Sequence, residues 1–122
     1  MSDFSYYDKS VNPIDFDAFA ALKYDADGNV SAYARIGLDR IDDSVSAYAR
    51  IGLDRIDDSV EVSTVWLGLN HAFMPGGPPL IFETLIFGGR HDGELQRYST
   101  ESEALAGHLH AINELRAGRS PW

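Results

Sequence analysis

The chain contains no cysteine, which excludes disulfide bridges and thiolate metal sites. No apolar run approaches the roughly 18 residues that cross a bilayer. The opening stretch MSDFSYYDKS has neither the basic start nor the apolar core of a secretory signal. Basic side chains are scarce, 10 Lys and Arg against 19 Asp and Glu, for a formal charge of −9. A surface of that sign repels phosphate backbones, so direct nucleic-acid binding is not expected. The charge reads first as a solubility feature, with a basic protein partner as the alternative. The expectation is a cytoplasmic chain, not associated with membrane.

Catalytic signatures are absent too. There is no GxSxG nucleophile turn and no HExxH metal helix. The Gly pairs at 76–77 and 88–89 do not open a helix as a phosphate-binding loop would. DADGN at 25–29 begins like a calcium loop but lacks the Gly at position six and the Glu at position twelve. No cofactor and no metal ion are expected.

What the chain does have is a duplication. VSAYARIGLDRIDDS occupies residues 30–44 and is repeated without change or spacer at 45–59. Without one copy, 107 of the 122 residues remain, enough for a modest core. Two units are too few for a solenoid, which needs about three stacked repeats. Complete identity marks a recent, engineered or generated duplication rather than a functional repeat. Each copy alternates, with Ala32, Ala34, Ile36 and Leu38 on one side and Tyr33, Arg35 and Asp39 on the other, so it reads as a strand ending in a DDS turn. One copy should fill a native strand and leave the other as a spare. The tighter turn into Val60 favours the second copy. The spare offers an unpaired strand, and with it a route to a homodimer.

Around the duplication the pattern is α+β. Residues 1–11 lack a period and read as a loose arm. A short N-terminal helix is expected near 13–23, with Asn12 as its cap and Pro13 in its first turn. VEVSTVWLGLN (60–70) is the clearest strand, HAFMPGGPP (71–79) a loop, LIFETLIF (80–87) an inner strand and ELQRYS (94–99) a last strand. Thr100 and Glu103 form a capping box for a C-terminal helix carrying Leu105, Leu109, Ile112 and Arg116 along one side, closed by Gly118 and Pro121. The predicted architecture is a small antiparallel sheet of about four strands packed against that C-terminal helix, within one domain spanning residues 1–122.

Few residues carry chemistry. His108 and His110 stand two apart on a helix and cannot share an ion, and the histidines read as exposed turn residues. His71 and His91 lie at strand ends, with Asp92 or Glu94 near the latter. Glu83 shares a strand face with Ile81, Leu85 and Phe87, which calls for a pairing with Arg35, Arg50, Arg90 or Arg97. The weak catalytic candidates are therefore His71, Glu83, His91 and Asp92, as a small metal-dependent or acid/base hydrolase.

Three stretches, VSTVWLGLNH, PPLIFETLIFGG and RYSTESEALAGH, in this order and spacing over residues 60–108, resemble a family of short uncharacterised proteins carried by tailed phages, chiefly actinobacteriophages. The family pattern has the strand region once, so the second copy departs from it. The resemblance implies phage origin and a compact α+β fold, and brings no reaction or site residues. A non-enzymatic accessory protein, binding a host or phage protein, is the expected function.

Overall fold

The structure is a computed structural model that describes residues 6–42, 59–72 and 76–122. It is α+β. Two short strands, β1 (Tyr6–Tyr7) and β2 (Pro13–Ile14), pair antiparallel and lead into helix α1 (Phe16–Lys23). Strands β3 (Arg35–Asp42), β4 (Ser59–Trp66), β5 (Phe82–Phe87) and β6 (Leu95–Tyr98) form an antiparallel sheet in that order. Helix α2 (Glu101–Arg116) packs across one face of this sheet. Thr100 caps α2 through the expected capping box with Glu103.

The N-terminal segment departs from expectation. Residues 6–11 are not a loose arm, because Tyr7 is held on both sides: its carbonyl accepts from Trp66 Nε1 at 2.9 Å and its N–H donates to Gly68. Pro13 belongs to β2, and the helix cap is Asp15, whose carboxylate accepts from Ala18 N. Pro13 fits an edge strand because it has no donor to offer a ladder. Residues 1–5 lie outside the described residues.

β3 is built from the first copy of the repeat. The expectation that the second copy fills it is therefore corrected; residues 43–58, nearly all of that copy, lie outside the described residues. The loop-closure argument weighed one connection only. Fifteen surplus residues lengthen either the link from α1 to β3 or the link from β3 to β4, at similar entropic cost. The turn at 25–29 runs directly into the first copy. Asp25 Oδ1 accepts from Asp27 N and Asn29 N, and Asp25 N donates to the Asn29 carbonyl. Tyr24 then bridges to Val30, and Ser31 bonds back to the carbonyls of Leu22 and Lys23. Feeding the first copy straight into β3 preserves this closure.

The simple alternation expected of the copy fails at a bulge. Arg35 faces Val65, but Gly37 already faces Thr64, so Ile36 is the extra residue. A bulge reverses which face the following side chains take. Ala34 is buried, yet two residues past the bulge Leu38 is 66% exposed. Gly37, Asp39 and Ile41 turn toward α2 instead.

α2 is also rotated relative to expectation. Its buried residues are Ala104, His108, Ala111 and Ile112, while Leu105 and Leu109 are exposed. Small side chains let a helix approach a sheet closely, and here Ala104, Gly107 and Ala111 supply them. A Cβ at Gly107 would collide with the Tyr98 hydroxyl. The core is consequently in two parts. Ile41, Val60, Val62, Ile86, Ala111 and Ile112 form one apolar cluster; Ala34, Trp66, Ile81, Phe82 and Ala104 form the other. Thr64, Thr84 and His108, all buried, form the polar row on the helix-facing side of the sheet.

Candidate functional site on the open face of the sheet

Alternation along β4 sends Val60, Val62, Thr64 and Trp66 toward α2 and the residues between them outward. The outward side chains assemble in rows set by strand register. Leu38, Ser63, Leu85 and Leu95 lie side by side across all four strands. Leu38 and Leu95 are exposed, the latter by 39%, and Leu85 is half-buried between them. The next row places Arg40 beside Glu61, at 2.7 Å, and Glu61 beside Phe87, which is 46% exposed. α2 covers the opposite face, and among the described residues no element packs over this row. Isolated exposed apolar residues are ordinary; here three leucines and Phe87 share one face of the sheet, with Ser63 between Leu38 and Leu85.

At the other end of the face the row is charged. Glu83 faces Arg97 across β5 and β6, and Arg97 Nε donates to Glu83 Oε2 at 3.0 Å. The arginine partner expected for Glu83 is thus Arg97. Nearby, Lys23 Nζ donates to the Trp66 carbonyl at 2.8 Å. Burial lowers the Lys23 pKa, and the Glu83 carboxylate partly restores it. Burial also lowers the His71 pKa, with Arg97 and Lys23 acting in the same direction and Glu83 against them. His71 is therefore within electrostatic reach of Glu83.

His91 and Asp92 are elsewhere. They sit in the turn beyond Phe87, at the far end of β5 from Glu83. Four residues of strand separate Glu83 from Phe87 by about 13 Å, at roughly 3.4 Å per residue, and proton transfer requires about 3 Å or one bridging water. Both are engaged within their own turn, where His91 Nδ1 lies 2.6 Å from Glu94 Oε2 and Asp92 Oδ1 accepts from Gly88 N. The structure separates His71 and Glu83 from His91 and Asp92. Among the described residues no three His, Asp or Glu side chains group as metal ligands.

The histidine with the richest environment is one that sequence reasoning misplaced. His108 is buried against the sheet, not exposed. Its Nε2 stands 2.8 Å from Asp39 Oδ2 and its Nδ1 2.7 Å from Thr64 Oγ1, which lies 2.6 Å from Thr84 Oγ1. Burial raises the pKa of the Tyr98 phenol, and Thr84 partly lowers it. A carboxylate only accepts, so Nε2 carries a proton; a neutral ring then accepts at Nδ1 from Thr64. This Asp–His–Thr order resembles a nucleophile relay, but Thr64 has no exposed surface to offer a substrate. The chain of bonds satisfies polar groups inside the core. Glycine permits it, since a Cβ at Gly37 would stand 2.8 Å from His108 Nε2. The signal available in sequence was Gly107–His108 in a helix whose register was set by its small residues rather than its leucines.

Two cavities adjoin α2. One, of about 50 Å³, lies between Ile41, Val60, Leu115 and the turn residues Arg90 and His91. The other is an open depression of about 450 Å³ beside Tyr98, Gly107, His110 and Trp122. Neither contains Glu83 or His71. Among the described residues, no helix is long and apolar enough to cross a membrane. No family model, no curated protein and no solved structure matches the chain.

Proposed function

We propose that the protein acts by binding a basic protein through the open face of its sheet, as a non-enzymatic accessory protein. The observation that supports this is the row Leu38, Ser63, Leu85 and Leu95 laid across the four strands, three leucines and a serine, with Phe87 beside it. Apolar area of this kind gains about 25 cal/mol per Å² when covered. The charges on the face are matched internally, Arg40 with Glu61 and Arg97 with Glu83. The rest of the chain supplies the −9, which disfavours a second copy as the occupant and favours a cation-rich partner. The resemblance of residues 60–108 to tailed-phage proteins directs the search to a bacterial host protein.

The test is affinity capture from bacterial lysate with the wild-type chain and with Leu85→Lys/Leu95→Lys, each at low and at high salt. The reading requires a basic protein retained by the wild type, weakened by salt and lost with the double variant. A protein retained equally by both would contradict it. Self-association in sedimentation, lost with the same variant, would assign the face to a second copy instead. The hydrolase alternative finds support only in the electrostatic influence of Glu83 on His71, and the Arg97 pairing of Glu83 already accounts for that carboxylate.

A further inference from the structure

The second copy of the repeat is chemically identical to the segment that builds β3, and the structure shows what that segment must satisfy. Ala34 fills a fully buried site opposite Trp66, Gly37 makes room for the His108 ring, Asp39 accepts from His108 Nε2, and Ile41 closes the core beside Val60. Fifteen positions later stand Ala49, Gly52, Asp54 and Ile56. Every inward-facing requirement of β3 is met twice in the same chain.

We propose that the two copies exchange in β3, so that the protein has two threadings of one fold and moves its fifteen surplus residues from one end of the sheet to the other. With the first copy in place, the surplus lies in sequence between β3 and β4. With the second copy in place, it joins α1 to β3, at the Trp66 end. Ile56 then faces Val60, leaving Asp57, Asp58 and Ser59 as a three-residue turn, a common hairpin connection. The cost of exchange is confined to the ends. The second threading gives up the Asp42–Ser59 pair and the bridge from Tyr24 to Val30 that closes the 25–29 turn. The interior and the leucine row are unchanged, since Leu53 replaces Leu38. Exchange requires β3 to leave an edge of the sheet, where among the described residues it has one partner strand, rather than the middle.

The absence of cysteine allows a direct test. Leu38 and Ser63 face each other across β3 and β4. Leu38→Cys/Ser63→Cys reports the first threading by forming a disulfide in a thiol–disulfide buffer, and Leu53→Cys/Ser63→Cys reports the second. Both disulfides are expected. In parallel, Gly37→Val and Gly52→Val each place a side chain against His108 in one threading only. Each single variant is expected to fold with its folding constant reduced less than tenfold, and Gly37→Val/Gly52→Val to lose a hundredfold or more. Failure of the Leu53→Cys/Ser63→Cys pair to close, including in the Gly37→Val background, would overturn the proposal. So would a Gly37→Val variant as unstable as the double. A double variant as stable as the singles would overturn it as well.

Discussion

His108 Nε2 and Asp39 Oδ2 stand 2.8 Å apart across the interface of helix and sheet, and a bulge at Ile36 is what brings them together. Without the extra residue, Asp39 would face the solvent and Leu38 the helix. The bulge thus does two things at once. It supplies an acceptor for a buried imidazole, and it sends a leucine out to begin the apolar row on the open face.

Replacing His108 by Phe removes the donor to Asp39 and the partner of Thr64 while keeping an aromatic ring in the core. Leaving a buried hydroxyl pair without its terminal partner costs about 1–3 kcal/mol. Urea unfolding of His108→Phe should show a loss of that size. Thr64→Val should behave similarly, because it strands His108 Nδ1. A loss under about 0.5 kcal/mol, within the range of surface substitutions, would mean the row is dispensable.

Gly107 should respond against the usual rule. Gly to Ala inside a helix ordinarily stabilises by about 1 kcal/mol. Here the new methyl meets the Tyr98 ring, so Gly107→Ala should destabilise. In a Tyr98→Ala background the obstruction is gone and the same substitution should stabilise. A double-mutant cycle by thermal unfolding checks the change of sign.

His71 gives a pH signature. Its pKa is lowered in the folded protein, by burial first and by Arg97 next. The unfolded chain therefore binds a proton more readily than the folded one, and the contribution of this group to stability is present above about pH 6.5 and lost as pH falls through its folded value. The effect is modest because His71 is only partly buried. Histidine NMR titration should find its pKa below 6.5, raised by Arg97→Gln and lowered further by Glu83→Gln. Movement of both variants in one direction would refute the arrangement of charges at that corner.

Much of the architecture was legible because its signals are local. The capping box at Thr100 and Glu103, the alternation of β4 and the apolar run of β5 each fix an element without reference to distant residues. The candidate site was less legible, since it depends on register. Counting by twos along ARIGLD places Leu38 inward, and only pairing with β4 reveals that Ile36 is supernumerary. The helix misled in a related way: leucines 105 and 109 suggested the buried side, whereas alanines, a glycine and a histidine pack there. Which copy builds β3 was beyond sequence for a different reason, because identical residues cannot be distinguished by any property of their own.

The leucine row is the centre of the account, and a photoreactive amino acid placed at Leu95 tests it most directly. The same probe at Leu109, which is 61% exposed on the helix, serves as the control. Irradiation in bacterial cells should give a defined adduct with a basic protein from position 95, abolished when Leu85→Lys is added, and none from position 109. An adduct at 109 with none at 95, or one indifferent to Leu85→Lys, would show that the open face of the sheet is not where this protein binds.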